Sequence, residues 1–204
     1  MKRFTLFAAA AAALLGLVAA SPIEMRDEPD DEYPGDLQGR SLPSFDLAIG
    51  GGRFDMSELQ SYSLFYANGS AYIGQIKYQT YSEPLIVSGA QNGIDTLTFQ
   101  SIHSSPTGWQ QMYVTPRQSK PVGFSPPHGS PLQGVRVNEF SFNWNRSGLQ
   151  NHGRNLFYAC QDAGGKLAAM HSYQIWWMGD GFPSRWSCRG PINIRAADGC
   201  ARSL

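Results

Sequence analysis

Apolar residues recur at every second position through most of the chain beyond Ser41, and a period of two predicts β-strands. Tyr62, Leu64 and Tyr66 alternate with Ser61, Ser63 and Phe65. Asn68-Gly69 follows, a dipeptide whose tolerance of positive φ suits a tight hairpin turn. The returning segment, Tyr72 to Tyr78, is expected to carry Tyr72, Ile76 and Tyr78 on one face. Asp95 to Gln100 alternates with Leu97 and Phe99 inward. Trp109 to Thr115 reads as a further strand, closed by Pro116.

Between Val135 and Trp144 the phase of the pattern changes. Val135 and Val137 hold odd positions, whereas Phe140, Phe142 and Trp144 hold even ones. A β-bulge near Asn138-Glu139 accounts for this, and two short strands with a break are the rival explanation. The Pro- and Gly-rich stretch Gly123 to Pro131 predicts a loop outside any sheet ladder. No amphipathic helix stands out, and Gly165 to His171 suffices for a turn or two. The last quarter of the chain holds all three cysteines and three of the five tryptophans, on segments that read as strands. The fold class is therefore all-β: an antiparallel β-sandwich or flattened barrel, one domain.

The first forty residues break this pattern. Met1-Lys2-Arg3 is a basic start, Leu6 to Ala20 is an uncharged Ala/Leu run, and Val18-Ala19-Ala20 offers a signal-peptidase site before Ser21. A run of about fifteen residues is shorter than the roughly twenty that span a bilayer, so residues 1–20 read as a signal peptide, not an anchor. Residues 21–40 carry seven acids against two arginines with three prolines, the composition of a disordered arm or a propeptide. Residues 41–204 are the β-domain. There twelve Lys/Arg stand against nine Asp/Glu, a scattered net charge of +3 that is too weak for a nucleic-acid footprint. The expectation is a secreted protein, extracellular or in a cell wall, with neither nucleic acid nor membrane as partner.

Secretion changes how the cysteines and asparagines are read. Three cysteines in an oxidising compartment leave one over. Cys160–Cys188 is the favoured pair, and its loop closure would stabilise by roughly 3 kcal/mol. Cys200 is the alternative to either member of that pair, Cys160–Cys200 first, or the source of a disulfide-linked dimer. Asn68-Gly69-Ser70 and Asn145-Arg146-Ser147 are N-glycosylation sequons at turns or strand ends.

Candidate chemistry is thin. His103, His128, His152 and His171 fall in or beside loops with no metal-ligand spacing, and the cysteines show none either. No pattern implies a cofactor. A glycosidase needs two carboxylates flanking a bond, and only Glu139, beside the predicted bulge, has a reason to be aimed into a cleft. An outward-facing strand carboxylate is the plainer account of it. No catalytic residue is assigned. Tyr173 to Met178 is apolar on both faces, which a strand covered on both sides explains. The sharper reading places Trp176, with Trp186 or Tyr158, on a solvent-facing platform where sugar rings stack.

The segments Asp95-Thr-Leu-Thr-Phe, Gln110-Gln-Met-Tyr-Val, Phe140-Ser-Phe-Asn-Trp, Asn155-Leu-Phe-Tyr-Ala-Cys160, Tyr173-Gln-Ile-Trp-Trp, Cys188 and Ile192 to Ala196 together resemble the fungal secreted phialide cell-wall (phiA-like) proteins. The match covers about two thirds of the body and lacks a further upstream cysteine of that family. The resemblance implies a non-catalytic, cell-wall-associated structural or interaction protein linked to spore-bearing structures, with wall polysaccharide or wall protein as partner. A secreted carbohydrate-binding or effector-like protein using the aromatic platform is the alternative.

Overall fold

The period-two pattern is realised as short strands with turns between them. The computed structural model describes residues 44–50, 62–89, 95–103, 107–142 and 148–197, all within the unit Ser41–Leu204. The expected signal peptide, the acidic arm, Asn145 and Cys200 lie outside the described residues. The strands are β1 (Ser44–Gly50), β2 (Phe65–Ala67), β3 (Ser70–Gly74), β4 (Glu83–Pro84), β5 (Ile86–Gly89), β6 (Leu97–Gln100), β7 (Trp109–Tyr113) and β8 (Lys120–Pro121). They continue with β9 (Gly123–Phe124), β10 (Phe140–Phe142), β11 (Leu149–Asn151), β12 (Phe157–Asp162), β13 (Ser172–Trp177), β14 (Trp186–Arg189) and β15 (Asn193–Ala197). A short helix, α1 (Lys166–Ala169), joins β12 to β13. Among the described residues no helix is long and apolar enough to cross a membrane.

Every strand pair among the described residues is antiparallel. The main sheet runs β14-β12-β13-β3-β9-β7-β6-β5-β1-β15, with β2, β4 and β8 attached to its side. Inward residues from both ends of that order, Ile175 and Trp177 of β13 and Leu47 and Ile49 of β1, pack into one cluster with Ile73, Leu97, Met112 and Phe157. A sheet whose two ends share a core must curl, and this one does, as a sandwich or flattened barrel. Burying each such side chain contributes roughly 1.5–3 kcal/mol, so the single cluster dominates the energetics. The β10–β11 hairpin is a separate sheet, held to the main one by paired backbone bonds between Asp95 and Phe140 at 2.9 and 3.0 Å.

Several expectations hold in detail. Leu64 and Tyr66 are buried, as are Leu97 and Phe99, and Tyr62 packs against the core. Asn68 (φ 47°) and Gly69 (φ 78°) form the turn between β2 and β3, both left-handed as a tight hairpin requires.

Three expectations need correction. Tyr72, Ile76 and Tyr78 do not share a face, because β3 ends at Gly74 (φ 104°) and the chain enters a 3-10 turn over Gln75–Tyr78. A Cβ at Gly74 would lie 2.4 Å from the His171 carbonyl oxygen, so only glycine permits this exit beside β13. Ile76 is then buried while Tyr78 stands in solvent. Gly123-Phe124 is not loop but β9, paired with both β3 and β7; the loop begins at Ser125. Finally, the phase change near Glu139 is a break between two pairings. Arg136 bridges Val114, Phe140 to Phe142 pairs with β11, and Glu139 (φ 64°) turns the chain between them.

Candidate functional site

The aromatic strands build a second, smaller cluster on the outer face of the sheet. Along β13, Tyr173, Ile175 and Trp177 point to the main core, so alternation sends Gln174 and Trp176 outward. On β12 the same rule buries Phe157 and Ala159 and turns Tyr158 and Cys160 outward. Register then assembles the face: Tyr158 lies opposite Trp176, Gln174 opposite Tyr72, and Cys160 opposite Cys188 of β14. The last pair is bonded as a disulfide, which ties the edge strand β14 to β12.

Trp176 and Trp186 pack with ring centroids 4.9 Å apart at 51°. Trp176 does face away from the main core, but it is only 7% exposed. An open indole at Trp176 is therefore corrected: Trp186 and the disulfide, in the same cluster, lie over it. The accessible rings are the half-buried Trp186 and Tyr158 together with Phe182, 68% exposed and edge-on to Tyr158 at 5.6 Å. Periodicity does not mark Phe182, because it lies in the Gly-Asp-Gly-Phe-Pro loop, outside any alternation. A large apolar residue isolated among turn formers was the available signal.

Gln174 organises the polar part of this face. Its Nε2 donates to the Ser70 Oγ and the Tyr72 hydroxyl, each at 3.1 Å, and its Oε1 accepts the Trp176 indole N–H at 3.2 Å. That bond lets the indole be buried without an unpaired donor. Burial pushes the Tyr72 hydroxyl above its ordinary pKa, and nearby Tyr81 adds to the rise, while the Gln174 bond acts against it.

The carboxylates with a described setting are engaged structurally. Glu139 meets Arg136 Nε at 3.3 Å and His152 Nδ1 at 2.8 Å. Asp162 Oδ1 accepts the backbone N–H groups of Leu167 and Ala168 and so caps α1. Glu83, buried, binds the Ser101 hydroxyl and the Ile102 N–H. Three of the four histidines, His128, His152 and His171, hold left-handed backbone positions at turns, where histidine is enriched. Among the described residues no three His, Cys, Asp or Glu side chains gather closely enough to hold a metal. Asn68 is exposed at its hairpin tip.

No protein-family model, curated protein or solved structure matches this chain.

Proposed function

We propose that the protein is a secreted, non-catalytic component of a fungal cell wall, acting through its outer β-sheet face as a structural or interaction module. The observation that carries this reading is the disulfide-stapled aromatic face of β13, β12 and β14. Disulfides persist in oxidising, extracellular settings. The same face presents apolar rings to solvent at Trp186, Tyr158 and Phe182 while a bond locks its edge strand. The engagement of Glu83, Glu139 and Asp162 in caps and pairs supports a role without acid–base chemistry. The signal-like start and the resemblance to phialide cell-wall proteins point the same way, including the link to spore formation.

Culture fractionation tests it. The protein should be recovered from walls and should sediment with purified glucan or chitin. Recovery from the medium alone, with no sedimentation, would remove the wall from the reading.

The exposed rings favour a second reading, a carbohydrate-binding or effector-like protein. Trp186→Ala with Phe182→Ala should then abolish polysaccharide pull-down while the thermal transition persists; unchanged pull-down counts against it. Trp176→Ala is a poor test, because deleting a buried indole leaves a cavity costing roughly 3–5 kcal/mol.

A further inference from the structure

An open cleft of mixed polar and apolar lining crosses the sheet beside the aromatic cluster. Gly123 and Ser70 line a cavity of about 330 Å³ between Tyr113, Gln118 and Lys120 and the segment from Leu132 to Val135. A second hollow of about 370 Å³ adjoins it through Gly69 and Leu132, and a third of about 370 Å³ through Thr115, Gln118 and Gly134. No carboxylate lines any of the three, whereas Lys120, Arg117 and Arg136 do.

We infer that this cleft binds an acidic polysaccharide, a hydroxyl-rich chain whose carboxylates meet Lys120 and Arg117. Four observations carry this. First, the lining supplies amides and hydroxyls from Gln118, Gln133, Thr115 and Tyr113, groups that both donate and accept as sugar hydroxyls do.

Second, the Tyr113 ring lies over Gly123 so closely that a Cβ there would come within 2.4 Å of it. The ring is a ready surface for the C–H face of a sugar. Third, Gln110 lines the adjoining hollow, is 3% exposed, and has an Oε1 with no donor, although its Nε2 donates to Ser125 O at 2.8 Å. A buried acceptor left open suits a hydroxyl donor.

Fourth, the cation-bearing wall is held in place. Ser119 accepts the Gly179 N–H at 3.2 Å and donates to the Gly181 carbonyl, and Asp180 N–H donates to Arg117 O at 3.3 Å. The opposite wall is pinned by two backbone bonds between Arg136 and Val114, at 2.8 and 3.0 Å. Arg136 is already paired with Glu139, so the attraction falls mainly to Lys120 and Arg117. An extended peptide would dock by adding to a sheet edge. This floor is interior to the sheet, with β9 paired on both sides, so side chains must do the recognition.

Calorimetry of the full chain with hexagalacturonate, its methyl ester and oligo-deoxythymidylate tests the inference. Hexagalacturonate should bind, the uncharged ester should bind at least about tenfold more weakly, and raising salt from about 50 to about 200 mM should weaken the acid form. Lys120→Gln with Arg117→Gln, both at the surface, should lose about tenfold without altering the thermal transition, and Tyr113→Ala should lose more. Lys77→Gln, which removes an exposed cation outside all three hollows, should leave this binding intact, so that the loss is assigned to the cleft and not to net charge. Absence of hexagalacturonate binding, equal binding of the ester, indifference to the double variant, or tighter binding of the oligonucleotide would each overturn the proposal. Wall fractionation reports independently on location, so either idea can fail without the other.

Discussion

Tyr72 shows how much a single side chain depends on its neighbours. Its hydroxyl titrates above the ordinary value of about 10 because the folded state buries it and Tyr81 stands near. A raised pKa means the folded form holds the proton more tightly. The associated stability is complete below the unfolded value and is lost as pH rises through the folded one. Urea midpoints should therefore fall as pH rises past the unfolded tyrosine value of about 10, and Tyr72→Phe should lessen that fall; an identical alkaline slope in the variant would contradict the assignment. At this scale the sequence was partly legible. Leu64, Leu97 and Phe99 were readable from alternation alone, and Asn68-Gly69 from turn chemistry. Gly74 and Gly123 were not, because their role depends on His171 and Tyr113, residues that folding and not alternation sets against them.

Among elements, β14 depends most on its covalent tie. Among the described residues it is an edge strand, with Trp186 and Cys188 facing the small cluster. Replacing Cys160 and Cys188 by Ala together should lower stability by roughly 3 kcal/mol, read from denaturant midpoints. Amide exchange should accelerate most in β14, which opens locally, and in β1 only as far as global stability falls, since the main core does not include the bridge. Uniform acceleration over all strands would mean that the bridge supports the whole fold. The pairing was legible as the favoured choice because both cysteines lie on predicted strands. The aromatic face was legible in composition, but which ring is open was not. Periodicity gives Trp176 its direction, and only the packing of β14 against it decides its exposure. The short pairings of β8, β9 and β4 escaped for a related reason: two-residue strands carry no period.

For the molecule as a whole, the first described strand pairs with the last. Asp46 to Gly50 lie opposite Asn193 to Ala197, and Ile194 is fully buried in the common core. Closing that contact spans nearly the entire domain, so folding should be slow, in the millisecond-to-second range or beyond. Ending the chain at Ile192 removes one of the two partners of β1 and a core side chain together. The shortened protein should lose its cooperative thermal transition; retention of a sharp transition would show that the sheet does not need this closure. The pairing of β1 with β15 is not legible in the sequence, because alternation specifies a strand's faces and not its neighbours.

The same closure has a mechanical consequence. Antiparallel pairing sets the start of β1 beside the end of β15, with Asp46 opposite Ala197. Tension applied at Ser44 and Ala197 therefore peels this pair apart one rung at a time and does not load its hydrogen bonds in parallel. Stretched in an atomic force microscope, the domain should yield at low force. The sulfur bridge, with its sequence separation of 28, should then hold back part of the chain and shorten the full extension by roughly 90–100 Å until reductant is added. A domain built this way gives early under load and stops short of full length.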